Sequence, residues 1–356
     1  MLNRFLLVLL ACFALFSSCS KKKVCDIDVV CETNNAGDYV IKWEIFPVIE
    51  GNVKIYRSDN PDDFVGKAVE LELPIQEGVA VLQKGDFARN YFKLVFEKKM
   101  WAITSTQIIK TENILNFREI GGYRNRHEQQ IKWGKLYRSG LITNAYPSDI
   151  SLLKALHIKT AIDLRTDEEV SLVPSAPFIG QTYRIPIKGI EPVSLAEKVI
   201  RGEMKKGDAL IFQQDLHIAL VKNSTEKFKR YFEILADSSN YPIVVYCTLG
   251  KTRTGAVIAL TLAALDLDME QICQDYLLSN ACINFKNIVS NADMLSPDIQ
   301  EALTVLLAPR REIVESVYHY ILREHGSFDN YFKTELQLST AQREKLKELL
   351  LYPSRY

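Results

Sequence analysis

The stretch Val244–Gly255, VVYCTLGKTRTG, gathers the residue types that phosphoryl-transfer chemistry requires. An apolar run, Pro242–Tyr246, reads as a strand that ends at Cys247. A polar loop follows, Thr248, Leu249, Gly250, Lys251 and Thr252, and then Arg253 and an apolar helix expected over 254–265. Backbone N–H groups of such a loop can converge on one anion, and the helix N-terminus adds its positive dipole end. Gly250 has no Cβ to keep the backbone away from neighbours, and Arg253 can fork two donors to a phosphate. The same donors stabilise a thiolate, so the Cys247 pKa should fall. A thiolate there can attack phosphorus in line and form a phosphocysteine. Loop N–H groups and Arg253 would hold the charge on the equatorial oxygens, and Thr254 could donate to the departing sulfur. This chemistry needs no metal and no cofactor, and no histidine and carboxylate cluster in the sequence suggests a metal site.

Cysteine, five residues, arginine and then threonine resembles the signature of cysteine-dependent phosphatases. More narrowly, the chain resembles the bacterial tyrosine phosphatases with an NFRD-x-GG opening motif and an HC-x-x-GKDRTG loop. Asn116–Tyr123 (NFREIGGY), Lys132–Gly140 (KWGKLYRSG), Ala161–Glu169 (AIDLRTDEE) and Gly326–Phe332 (GSFDNYF) match further stretches in the family's order. The resemblance covers about residues 110–356. It implies hydrolysis of phosphate monoesters, with phosphotyrosine the default substrate class. Phosphoinositides or inositol phosphates are the alternative, since Lys251 adds charge beside the loop. A catalytically impaired phosphate-binding protein is a third reading.

Two departures from the family motivate that third reading. Tyr246 stands where the family has a histidine, and Thr252 where it has an aspartate that serves as general acid. Threonine cannot protonate a leaving phenolate. Asp163, closing a strand near the carboxyl edge of the sheet, is the first replacement to consider. Asp167, Glu168 and Glu169 follow it, and the absence of any acid is the remaining option. Arg118 and Arg138 are expected to support loops beneath the site, with direct contact to the phosphate as the alternative for each. Arg165 should either pin Asp163 or reach the pocket. Lys251 is expected to be solvated or to meet a second phosphate or an acidic group.

These residues need a scaffold, and alternating apolar strands and amphipathic helices supply one from about 109 to 356. Strands are expected over 159–164, 182–187 and 242–246, with helices over 209–221 and 225–236, a short helix capped near Ser148 and a last one beginning near Ser339. This is an α/β class domain with a mostly parallel sheet flanked by helices. Residues 24–108 read differently. Short Val-, Ile- and aromatic-rich runs (26–32, 39–45, 52–57, 78–82, 91–96, 102–108) are separated by turn residues such as Asn34–Asp38 and Asn60–Asp63. That pattern predicts a small all-β sandwich, resembling a fibronectin type III or immunoglobulin-like module.

Ahead of it, Phe5–Phe16 is too short to span a bilayer well and fits a signal-peptide core. With Ser17, Ser18 and Cys19 it resembles a bacterial lipoprotein signal. The expected organisation is a leader over 1–18, lipidation at Cys19, a linker over 19–23, the sandwich and the phosphatase-like domain. The protein would cross the inner membrane and be anchored in the cell envelope, on the periplasmic or outer-membrane side. Its partners would be that membrane and a phosphorylated protein, lipid or inositol. The 44 basic and 44 acidic residues cancel, which argues against general nucleic-acid binding. Cys25 and Cys31 could bridge in an oxidising compartment or point outward, while Cys273 and Cys282 read as core. His157 and His217 read as surface or packing residues.

Overall fold

The computed structural model describes residues 26–85, 87–97, 100–189, 192–284 and 292–353. The expected leader, Cys19, the linker and Cys25 lie outside the described residues.

The N-terminal part is a two-sheet sandwich of antiparallel strands. β1 (Asp26–Thr33), β2 (Tyr39–Phe46) and β5 (Val79–Leu82) form one sheet in the order β1-β2-β5. β3 (Asn52–Ser58), β4 (Val69–Pro74), β6 (Tyr91–Phe96) and β7 (Trp101–Thr104) form the other, in the order β4-β3-β6-β7. Side chains alternate across each strand, so Ile27, Ile41 and Trp43 meet Val53, Ile55, Phe92 and Leu94 between the sheets. Cys31 belongs to this core and does not point outward; burial pushes its thiol up to about 12. β4 was not among the expected strands, although Glu70 and Glu72 alternate with Leu71 and Leu73. As a mostly exposed edge it carries little apolar signal.

The C-terminal part is built on a five-stranded sheet in the order β11-β10-β12-β9-β8. Its strands are β8 (Arg118–Glu119), β9 (Leu136–Ser139), β10 (Thr160–Asp163), β11 (Gln181–Arg184) and β12 (Ile243–Tyr246). Three of the four pairings are parallel, and β8 runs antiparallel to β9. β12 is buried on both faces: Ile243 and Val245 enter the core against the long helices, Val244 and Tyr246 the core on the other face. Helices α1 (Pro147–Ala155), α2 (Asp167–Leu172), α3 (Pro192–Ile200), α4 (Lys206–Asn223), α5 (Thr225–Leu235) and α6 (Thr252–Ala264) alternate with the strands or follow them. Then come α7 (Met269–Leu277), α8 (Ser279–Cys282), α9 (Pro297–Leu307), α10 (Arg311–His325), α11 (Phe328–Thr334) and α12 (Thr340–Leu350). Ser339 caps α12, its hydroxyl accepting from the Gln342 N–H while the Gln342 side chain returns to the Ser339 N–H. Two expected caps shift: α1 starts after Tyr146, boxed with Asp149, and Thr225 lies just inside α5, after Ser224.

The sandwich and the sheet domain meet in a buried polar seam. Arg89 donates to Glu119 at 2.8 Å and to the Thr106 hydroxyl at 2.8 Å. Tyr91 also donates to Glu119, whose other oxygen takes the Gly134 N–H. Trp133 donates its indole N–H to Ile103 O at 3.0 Å. Its ring lies where any Cβ on Gly121 or Gly122 would sit, which explains the glycine pair.

Candidate active site

β12 delivers Cys247 to the top of the sheet, and α6 starts five residues later, so residues 247–251 form the turn between them. Gly250 adopts φ +65, and a Cβ there would lie 2.3 Å from the Ser139 carbonyl group. Only glycine meets both demands. The loop is gripped from beneath. Asn116 donates its side-chain amide to Leu249 O at 3.2 Å and Gly250 O at 2.9 Å, and Arg138 donates to Gly250 O at 2.7 Å. Carbonyl and N–H point opposite ways across a trans peptide. Turning these carbonyls down therefore turns the following N–H groups up, towards an incoming anion. Asp275 of α7 takes both guanidinium groups, from Arg118 at 3.3 Å and from Arg138. Arg118 also donates to Asp275 O and Ser279 Oγ.

Cys247 is 3 % exposed, and burial by itself would push its thiol up. The Arg253 guanidinium, then the Thr254 hydroxyl and the backbone N–H groups of Thr254 and Gly250, outweigh burial and hold the pKa below the ordinary thiol value. The Thr254 hydroxyl is buried with no oxygen or nitrogen partner, so it is available to the sulfur. Arg253 is itself held by Glu169: Nη1 donates to Oε2 at 2.5 Å and Nη2 to Oε1 at 2.7 Å. Thr248 donates its hydroxyl to the same carboxylate at 2.5 Å. Glu169 closes the capping box of α2, accepting the Thr166 N–H at 2.8 Å, so the start of that helix fixes its position. Burial would raise the Glu169 pKa, but hydrogen bonds from Arg253, Thr248 and Thr166 bring it to about 2.

Above the loop is a pocket. Cys247, Thr248, Thr252 and Arg253 lie at its floor, and Leu195, Leu216, Leu249, Leu306 and Leu307 give it apolar walls. Apart from Leu249 of the loop itself, the walls come from α3, α4 and α9, helices whose residues form a separate apolar cluster. Of residues 188–208, Gly189 and Leu195 line the pocket. Lys251 also lines the pocket, and it is not solvated. It is 5 % exposed and donates to Leu307 O at 2.6 Å and Leu306 O at 3.4 Å, at the C-terminal end of α9.

Other expected residues fall elsewhere. Asp163 is fully buried and accepts hydrogen bonds from Arg165, from Ser175 at 2.8 Å and from the Tyr246 hydroxyl at 2.8 Å. It does not line the pocket, so the expectation that it protonates the leaving group is corrected. Its place at a strand end was read rightly, but its side chain turns to the loop of Arg165. Arg165 pins Asp163 through Nε and Nη2 and does not reach the pocket. Arg118 and Arg138 lie beneath the loop. Tyr246, in place of a histidine, joins the Asp163 group. Asp167 pairs with Arg184 at 2.6 Å on the surface, and Glu168 is exposed. Sequence reading missed Asn116, Asp275 and the leucine walls. Asn116 had a signal, the start of the NFRE stretch; Asp275 had none beyond being a carboxylate in an apolar helix. Cys273 and His217 are buried, Cys282 is half-buried and His157 is on the surface.

Comparison with known proteins gives the family of this part of the chain. The profile described as "tyrosine phosphatase family" matches residues 109–352. A Cupriavidus necator protein bearing a tyrosine-protein phosphatase name is 26 % identical over 235 residues, covering 65 % of this chain and 85 % of that one. Triple specificity protein phosphatase PtpB of Mycobacterium tuberculosis is 22 % identical over 277 residues, covering 66 % and 96 %. Among solved structures, the core catalytic domain of the PP-IP phosphatase SIW14 from S. cerevisiae aligns with a TM-score of 0.25 and 13 % identity, covering 56 % and 94 %.

Proposed function

This chain belongs to the tyrosine phosphatase family, and we propose that it hydrolyses phosphate monoesters, phosphotyrosine foremost, through a phosphocysteine on Cys247. One observation carries the choice of substrate: the phosphate loop lies at the bottom of a leucine-walled pocket. A phosphate on the loop would place the ring of a phosphotyrosine against Leu195, Leu216, Leu249, Leu306 and Leu307. An inositol carrying several phosphates would have to set further anions against those same apolar walls, at a high desolvation cost. Lys251, the cation that suggested such a substrate, is already engaged by α9.

In this reading the Cys247 thiolate attacks phosphorus while Arg253 and the upturned N–H groups hold the equatorial oxygens. Thr254 then stabilises the sulfur as water displaces it. The decisive assay is hydrolysis of p-nitrophenyl phosphate and a phosphotyrosyl peptide by the chain from residue 24 onward, beside Cys247→Ser, over pH 5 to 8. Turnover that disappears in the variant supports the proposal. Absence of turnover, with phosphate still shielding Cys247 from alkylation, turns the reading to a phosphate-binding site. The leader and Cys19 support envelope anchoring of the same enzyme. Metabolic labelling with palmitate that persists in Cys19→Ala would exclude it.

A further inference from the structure

Departure of a phenolate calls for a proton, and Glu169 and Asp163, the carboxylates the sequence puts forward beside the site, are committed. Glu169 uses both oxygens on Arg253 and is ionised at any working pH, with its pKa near 2. Asp163 is buried outside the pocket among Arg165, Ser175 and Tyr246. Thr252 lines the pocket but cannot serve as an acid. Among the described lining residues, the groups that carry a titratable proton are Cys247, Arg253 and Lys251. The first is the nucleophile, and a guanidinium does not give up its proton.

We propose that Lys251 is the general acid and base of this phosphatase, taking the part for which its sequence neighbour Thr252 is unsuited. This rests on the function proposed above. Two α9 carbonyls fix its ammonium at the pocket wall, on the loop that carries the nucleophile. In the first step the S–P bond forms and the P–O ester bond breaks. The released electron pair stays on the oxygen, which takes a proton from Lys251 Nζ. In the second step the neutral amine accepts a proton from water as water attacks phosphorus, the S–P bond breaks and the thiolate returns. No other reactant is needed.

The electrostatic surroundings suit the role. Burial lowers the Lys251 pKa to about 8, partly offset by Cys247. An acid of that strength transfers a proton downhill to a phenolate, whose conjugate acid is near 10. The charged or titratable groups around it are few. The loop and α6 present Cys247 and Arg253, the latter partly neutralised by Glu169. α4 presents His217, which burial keeps neutral with a pKa near 4. α9 presents carbonyls and leucines, and α3 presents Leu195. A bound phosphate dianion would keep Lys251 protonated until the ester bond breaks.

The test is a series of aryl phosphates with leaving groups from p-nitrophenol to phenol, assayed with wild type and Lys251→Arg from pH 5 to 9. Arginine keeps the charge and can donate to the α9 carbonyls, but it cannot release a proton. We expect a shallow dependence on leaving-group pKa in wild type, with kcat/KM falling as pH rises through about 8. In Lys251→Arg, phenyl phosphate should lose ~100-fold and p-nitrophenyl phosphate under ~10-fold, and the alkaline fall should vanish. Equal dependence in both proteins, or an unchanged alkaline limb in the variant, overturns the assignment. If the variant does not fold, a steep dependence in wild type alone overturns it. Activity that survives Cys247→Ser would instead sink the cysteine mechanism, which separates the two failures.

Discussion

Glu169 holds both terminal nitrogens of Arg253 on its two carboxylate oxygens, at 2.5 and 2.7 Å. The pair sets the plane of the guanidinium before any substrate arrives, and the α2 capping box sets the glutamate. Glu169 therefore positions the phosphate clamp. Glu169→Gln should lower kcat ~100-fold through a misplaced guanidinium, with a smaller change in KM. Steady-state kinetics on p-nitrophenyl phosphate would check this; an unchanged kcat would show that Arg253 needs no second support.

The same carboxylate has a signature in acid. Its folded pKa, about 2, lies below the unfolded value near 4.3. A depressed carboxylate contributes stability above the unfolded pKa and loses it as pH falls towards the folded one. Wild type should therefore lose more thermal stability than Glu169→Gln between pH 4.5 and 2. Parallel Tm curves for the two proteins would contradict the ion pair.

Thiol reactivity should divide the cysteines. Cys247 is held below the ordinary thiol pKa, whereas burial pushes Cys31 to about 12 and Cys273 to about 11 and also raises Cys282. Iodoacetate at pH 6.5 should label Cys247 first, and inorganic phosphate should slow that labelling alone. Peptide mass mapping would read the order, and early labelling of Cys282 would count against it.

Tyr246 gives its hydroxyl to Asp163, so Tyr246→Phe removes one of several hydrogen bonds to a buried carboxylate. A loss of about 1 kcal/mol in urea unfolding is expected. The leaving-group dependence should stay that of wild type. A steepened dependence in this variant would return Asp163 to the chemistry.

Removing one partner of the seam ion pair should cost far more. Arg89→Met leaves Glu119 buried without its guanidinium, a change of about 3–5 kcal/mol for comparable pairs. Urea unfolding would measure it, and a loss under 1 kcal/mol would mean that water reaches Glu119.

Much of this was legible in the residues. Cys247, Gly250 and Arg253 stand at fixed offsets between an apolar strand and a helix, and local spacing alone places them together. The alternation of strands with helices and the short runs before residue 108 likewise announce their classes. What could not be read depends on contacts far apart in sequence. Asn116 meets Gly250 across 134 positions and Arg118 meets Asp275 across 157, and no periodicity encodes such pairs. Asp163 shows the same limit from the other side. Its strand-end position was correct, but the direction of its side chain is decided by Arg165, Ser175 and Tyr246. Lys251 reads as solvated or as a partner for a second phosphate or an acidic group until α9 is seen to end over it.

Arg118 and Glu119 are consecutive in a two-residue strand, and they serve opposite neighbours. Arg118 reaches to Asp275 and to Asn116, which in turn holds the phosphate loop, while Glu119 reaches to Arg89 of the sandwich. Modules that share only a tether can be shuffled between genes with little loss. Here a single dipeptide answers to both halves, so in this chain neither half can be exchanged for an unrelated one without remaking the contacts that the other half makes at that strand.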